Sequence, residues 1–153
     1  MAEPSKSLRQ VLVASIQGLT VTRLEASGAD ALVLDAGVVA AAGLLPHEKI
    51  EVLNLTSGAR FATSLGISRR APGGVEVAGP AVHFAAVGDV LVVSSWAWMR
   101  EKAATRHTPR LIAVDARNRV ARAAFRGDSD NPEAARGGTD APSARTDGGR
   151  RAR

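Results

Sequence analysis

Residues 15–35, SIQGLTVTRLEASGADALVLD, constrain the chain more than any other stretch. Two β-favouring runs, Thr20-Val21-Thr22 and Ala31-Leu32-Val33-Leu34, flank the small, polar segment Ala26-Ser27-Gly28-Ala29-Asp30. The pattern predicts strand, turn, strand, with the turn at its centre.

The rest of the chain repeats that rhythm. Residues 8–16 predict a first strand that continues through Gln17-Gly18 into residues 19–24. Residues 35–45 are Ala-rich and stop at Pro46, which cannot donate a backbone N–H. Asp35 can cap them, and Val38, Val39, Ala42 and Leu45 share a face, so a short helix is predicted. Residues 49–55 (KIEVLNL) alternate, with Ile50, Val52 and Asn54 against Glu51, Leu53 and Leu55. Thr56-Ser57-Gly58 turns the chain into a returning strand over residues 60–67. A loop over 68–74, a short strand at 75–77 and a compact apolar turn over 79–86 follow. Residues 90–95 are apolar on both faces, as a central strand requires, and Trp96-Ala97-Trp98-Met99 extend them. Residues 111–114 read as the last strand. From residue 127 almost nothing apolar except Ala remains, so a disordered tail is predicted.

Composition narrows the function. The 153 residues contain no cysteine, which removes disulfides, thiolate metal sites and cysteine nucleophiles. No apolar run approaches the ~18 residues of a membrane span, and residues 1–8 lack the makings of a signal peptide. A cytoplasmic protein without membrane contact is expected. The formal charge of +5 is carried almost wholly by Arg, without an aromatic platform or nucleic-acid motif, so nucleic acid is not expected as a partner. No two histidines have metal-ligand spacing, so no metal site is expected.

Thr20-Val21-Thr22, Asp35, Gly58-Ala59-Arg60-Phe61-Ala62-Thr63, Gly79, His83 and Val87-Gly88-Asp89 together resemble the pyruvoyl-dependent aspartate 1-decarboxylases. The resemblance runs from about residue 8 to residue 120 without insertion or deletion across its core. It implies a mainly β fold: a six-stranded double-psi β-barrel with short helices over residues 8–126. A flexible start (1–7) and the disordered tail (127–153) would flank it. It also implies a homotetramer with substrate pockets between neighbouring subunits.

The family makes its pyruvoyl group by cutting itself at a Gly-Ser bond, and here those two places hold Asp30 and Ala31. Self-cleavage begins with attack of the serine hydroxyl on the preceding carbonyl, and Ala31 has no hydroxyl. No cofactor is therefore expected. Ser27 leaves cleavage at Ala26-Ser27 as an alternative. The resemblance places Arg60 on the substrate carboxylate, for which a guanidinium is well shaped. Thr63 stands where a hydroxyl assists self-processing. Ser15, Gln17, Ser64 and Ala78 replace the family's lysine, histidine, tyrosine and asparagine.

Arg60, Thr63 and Asp30 are accordingly the candidate catalytic residues. Ser15, Gln17, Ser64, Ala78, Gly79, Trp96 and Trp98 are the candidate ligand-binding ones. Each has a plainer reading: a surface arginine, a satisfied strand hydroxyl, an aspartate that makes a turn, tryptophans that pack the barrel or an interface. Thr63 and Ser64, being adjacent in a strand, face opposite ways. His83 reads as a hydrogen-bonded core residue, His47 and His107 as loop residues.

The replacements shrink and neutralise the inherited pocket. That favours a larger, hydrophobic substrate and a cofactor-free cyclase or rearrangement enzyme acting on a polyketide-like intermediate, as in antibiotic biosynthesis and other secondary metabolism. Shape and orientation could supply its rate. The alternatives are a catalytically silent binding or regulatory homologue, and an active decarboxylase that uses Ser27.

Overall fold

The computed structural model describes residues 7–123. The predicted tail and most of the predicted flexible start lie outside them. The described chain is mainly β, consistent with the double-psi barrel that the resemblance implies. Its strands are β1 (Leu8–Thr20), β2 (Arg23–Glu25), β3 (Ala31–Asp35), β4 (Lys49–Asn54), β5 (Arg60–Ser68), β6 (Val75–Ala78), β7 (Val90–Arg100), β8 (Arg110–Val114) and β9 (Val120–Ala123). Helices α1 (Ala36–Ala42) and α2 (Glu101–Ala104) and a 3-10 helix, Gly79–Phe84, connect them.

All nine strand segments join one sheet in the order β2-β6-β3-β5-β4-β7-β1-β8-β9. Parallel pairs (β1 with β8, β2 with β6, β3 with β5) are interspersed among antiparallel ones, so the chain crosses over itself repeatedly. One consequence corrects the local reading of residues 15–35. β2 and β3 do not pair with each other; β6 inserts between them, parallel to β2 and antiparallel to β3. The turn is real, but its arms pair with β6, and β3 also with β5, instead of with each other.

Other expectations hold with small changes. Asp35 caps α1 by accepting from the Gly37 amide at 2.6 Å. The helix ends at Gly43, whose left-handed φ of 68° suits a C-cap glycine, three residues before Pro46. Val38, Val39 and Ala42 are buried, whereas Leu45 is past the helix and exposed. Residues 17–19 do not break the first strand: β1 runs through them with a register shift between Gln17 and Leu19. β7 is central, between β4 and β1. Residues 111–114 are not the last strand, because β9 pairs antiparallel with β8, and α2 was not foreseen.

The core is aliphatic: Ile16, Leu19, Leu32, Leu34, Ile50, Val52, Leu65, Val75, Val77, Leu91, Val93 and Ile112 are each essentially sealed from solvent. Two buried asparagines tie the connections to it. Asn54 donates to the Phe84 carbonyl and to Asp89, and accepts from the Thr56 and Ser57 amides. Asn118, at φ 57°, donates to the carbonyls of Thr20 and Gly73 and accepts from the Thr20 amide. Among the described residues no helix is long and apolar enough to cross a membrane.

Candidate functional site

The β4–β5 hairpin sets out the candidate site. In its register Arg60 faces Leu53, Ala62 faces Glu51, Thr63 faces Ile50 and Ser64 faces Lys49. Directly opposed residues of an antiparallel pair share a face. Arg60, Ala62 and Ser64 therefore line up on the outer face with Leu53, Glu51 and Lys49. Thr63 lies on the inner face with buried Ile50. Register across β7 continues the outer rows: Glu51 faces Ser94, and Ser94 faces Ser15; Leu53 faces Val92, and Val92 faces Gln17.

Two neighbouring pockets open along this hairpin. The first, about 410 Å³, is lined by Glu51, Val52, Leu53, Arg60, Phe61, Ala62, Val92, Ser94 and Trp96. The second, about 310 Å³ and shallower, is lined by Asp30, His47, Lys49, Ala62, Thr63 and Ser64. Ala62 belongs to both.

The structure thus divides the residues that the sequence singled out. Arg60 and Trp96 come together in the first pocket; Asp30, Thr63 and Ser64 come together in the second. Ser15, Gln17, Ala78, Gly79 and Trp98 line neither. Ser15 is buried in the β1 ladder. Ala78 is buried opposite Ala31 across β3 and β6. Gly79 serves the backbone instead, since at its φ of 66° an added Cβ would stand 2.8 Å from the Asp30 amide nitrogen. Only a residue without a side chain lets the turn approach that closely. Trp98 is 65% exposed, away from the pocket that holds Trp96. A larger groove, about 560 Å³ around Arg23, Arg69 and Arg70, takes in none of the singled-out residues.

The pairings of the hydroxyls and carboxylates limit their roles. Asp30 accepts from the Ala81 amide at 3.1 Å and so holds the start of the 3-10 helix, which favours the turn-making reading. Ser64 donates to the Asp30 carbonyl oxygen at 2.9 Å. The buried Thr63 hydroxyl has no hydrogen-bond partner among the described residues, so it is not the satisfied strand hydroxyl expected. His83 is exposed, not a core residue, and the His107 ring donates to the Leu12 carbonyl at 2.8 Å. Among the described residues no group of acidic and histidine side chains could hold a metal ion.

Glu51, Ser94 and Leu53 are pocket residues that the sequence reading did not single out. The signal was present: alternation places Glu51 and Leu53 on one face, and the hairpin then sets them beside Arg60. Glu51 and Arg60 are diagonal neighbours on that face, a relation that puts Cα atoms roughly 7–8 Å apart. Neither makes an ion pair with the other or with another described residue.

A family model for aspartate decarboxylase matches residues 7–121. The chain belongs to the aspartate decarboxylase family. Among its relatives, "Aspartate 1-decarboxylase 2" of Gloeobacter violaceus is 35% identical over 113 residues, covering 74% of this chain and 90% of the relative. "Aspartate 1-decarboxylase" of Chloroherpeton thalassium is 30% identical over 125 residues, covering 82% and 92%. That of Corynebacterium efficiens is 32% identical over 113 residues, covering 74% and 83%.

These matches overturn the cyclase reading. The relatives carry the name of an aspartate decarboxylase, and nothing in the chain or its relatives points to polyketides, antibiotic biosynthesis or secondary metabolism. The pocket agrees: Arg60 and Glu51 give it a charge of each sign, where a hydrophobic substrate would want neither.

The family's pyruvoyl group does not fit this chain at its usual place. Ala31 is the first residue of β3, opposite Ser64 on one side and Ala78 on the other, with no hydroxyl to attack the Asp30 carbonyl. Ser27, in the turn, donates its hydroxyl to Glu25 at 2.6 Å. That bond is the leading cause holding the Glu25 carboxyl below its ordinary range; the Ser27 amide and Arg23 add to it.

Proposed function

We propose that the chain serves the amino-acid chemistry of its family, taking an amino-acid carboxylate on Arg60. Any decarboxylation it performs draws its electron sink from somewhere other than residue 31, because a carbanion left by loss of CO2 needs one. The observation that carries this reading is Arg60 in the first pocket, without an ion-pair partner among the described residues, in a lining that also includes Leu53 and Trp96. A planar guanidinium can grip both oxygens of a carboxylate. The names of the relatives supply the ligand class: aspartate. A cytoplasmic location belongs to the same proposal.

The test is to incubate the purified chain with L-aspartate, following binding by calorimetry and release of CO2 and β-alanine. Binding that requires Arg60 supports the reading, with or without turnover. Absence of both binding and turnover removes it.

A further inference from the structure

We infer that Glu51 is the ammonium-binding residue of the Arg60 pocket, and so the residue that selects amino acids over plain carboxylates. This inference rests on the Arg60 reading just given and extends it to the other end of the ligand.

Glu51 and Arg60 line the same open pocket of about 410 Å³, and Glu51 is the only carboxylate among the described residues that do so. The β4–β5 register makes the two side chains diagonal neighbours on the outer face. Their charges are opposite, yet they form no salt bridge with each other. Each therefore presents an open charge to the same cavity. Ser94 stands opposite Glu51 on β7 and adds a hydroxyl to that end of the pocket.

An amino acid carries the complementary pair, a carboxylate and an ammonium a few bonds apart. With its carboxylate on Arg60, the ammonium lies within the reach of Glu51, which attracts it as the opposite charge in the same pocket. Glu51 is the acceptor, and its hydrogen bond to the ammonium is charge-assisted. Recognition of the amine then falls to charge and hydrogen bonding. A ligand without the amine brings only carboxylate charge into the pocket and leaves Glu51 without a cation, so the pocket penalises the deaminated analogue.

The experiment compares L-aspartate with succinate, its deaminated analogue, by calorimetric titration of the full chain and of Glu51→Gln, Glu51→Asp and Arg60→Ala. Glu51→Gln should weaken L-aspartate at least tenfold while leaving succinate unchanged or tighter. Glu51→Asp, which keeps the charge, should retain the preference for L-aspartate. Arg60→Ala should weaken both ligands. Thermal melting of each variant checks that the fold survives. Loss of both ligands in equal measure on Glu51→Gln, or of neither, overturns the role of Glu51 and leaves Arg60 standing. An Arg60→Ala variant that binds both ligands as the wild type does overturns the underlying reading of the pocket.

Discussion

Ser64 donates its side-chain hydroxyl to the carbonyl oxygen of Asp30 at 2.9 Å. That carbonyl is the one a hydroxyl at position 31 would attack, so the chain keeps a donor that polarises it and lacks only the attacking oxygen. The double substitution Asp30→Gly with Ala31→Ser rebuilds the Gly-Ser pair and supplies that oxygen. Intact mass spectrometry should then find a fraction of the double variant split between residues 30 and 31, with the wild type whole. A double variant that stays whole for days would show that the turn geometry, and not the missing hydroxyl alone, blocks cleavage.

Thr63 offers a stability test. Its hydroxyl is buried without a partner among the described residues, and an unsatisfied buried polar group costs about 1–3 kcal/mol. Thr63→Val removes the polar atom at nearly constant shape and should raise the unfolding free energy by about 1 kcal/mol in urea titrations. A loss of stability instead would mean that the hydroxyl has a partner in solution.

Asn54 should behave in the opposite way. Its amide makes four hydrogen bonds, two donated and two accepted, in a fully buried position. Asn54→Ala strands the Phe84 carbonyl and the Thr56 and Ser57 amides, and should cost about 3 kcal/mol, measured as a fall in the urea midpoint. A change below about 0.5 kcal/mol, the scale of an ordinary surface substitution, would contradict the pinning role.

The same contact sets an acid limb. Hydrogen bonds from Asn54, and secondarily from the Ala86 amide, hold the Asp89 carboxyl below its ordinary value of 3.8. A group depressed in the folded state stabilises it fully above that ordinary value, and the contribution fades as pH falls through the folded one. Stability should therefore drop on acidification below about pH 4, and Asp89→Asn should flatten that drop. An identical acid limb in the variant would contradict the assignment.

How much of this was legible in the sequence depends on the range of the interaction concerned. Alternation over residues 49–55 grouped Ile50, Val52 and Asn54 on one face, which is the buried one, because burial alternates with the pleat itself. Asp35 at the head of α1 was equally readable, a cap being a bond to a residue two places on. The partners of β2 and β3 were not readable, since β6 enters between them from far along the chain and no local pattern encodes a crossover. The separation of Arg60 from Thr63 follows from opposite faces of one strand, so it was foreseeable in part. That Glu51 would share the pocket of Arg60, while Trp98 would not, needed the register of β4 with β5 and of β7 with β1. The cyclase reading failed for a different reason: lost polar groups in an inherited site say what chemistry is gone, not what has replaced it.

The most direct measurement is a titration of L-aspartate into the wild-type chain and into Arg60→Ala, each first shown by mass to be uncut. Saturable binding to the wild type that weakens at least tenfold in the variant is the predicted result. Equal binding by the two proteins, or none by the wild type, would contradict the assignment of an amino-acid carboxylate to Arg60.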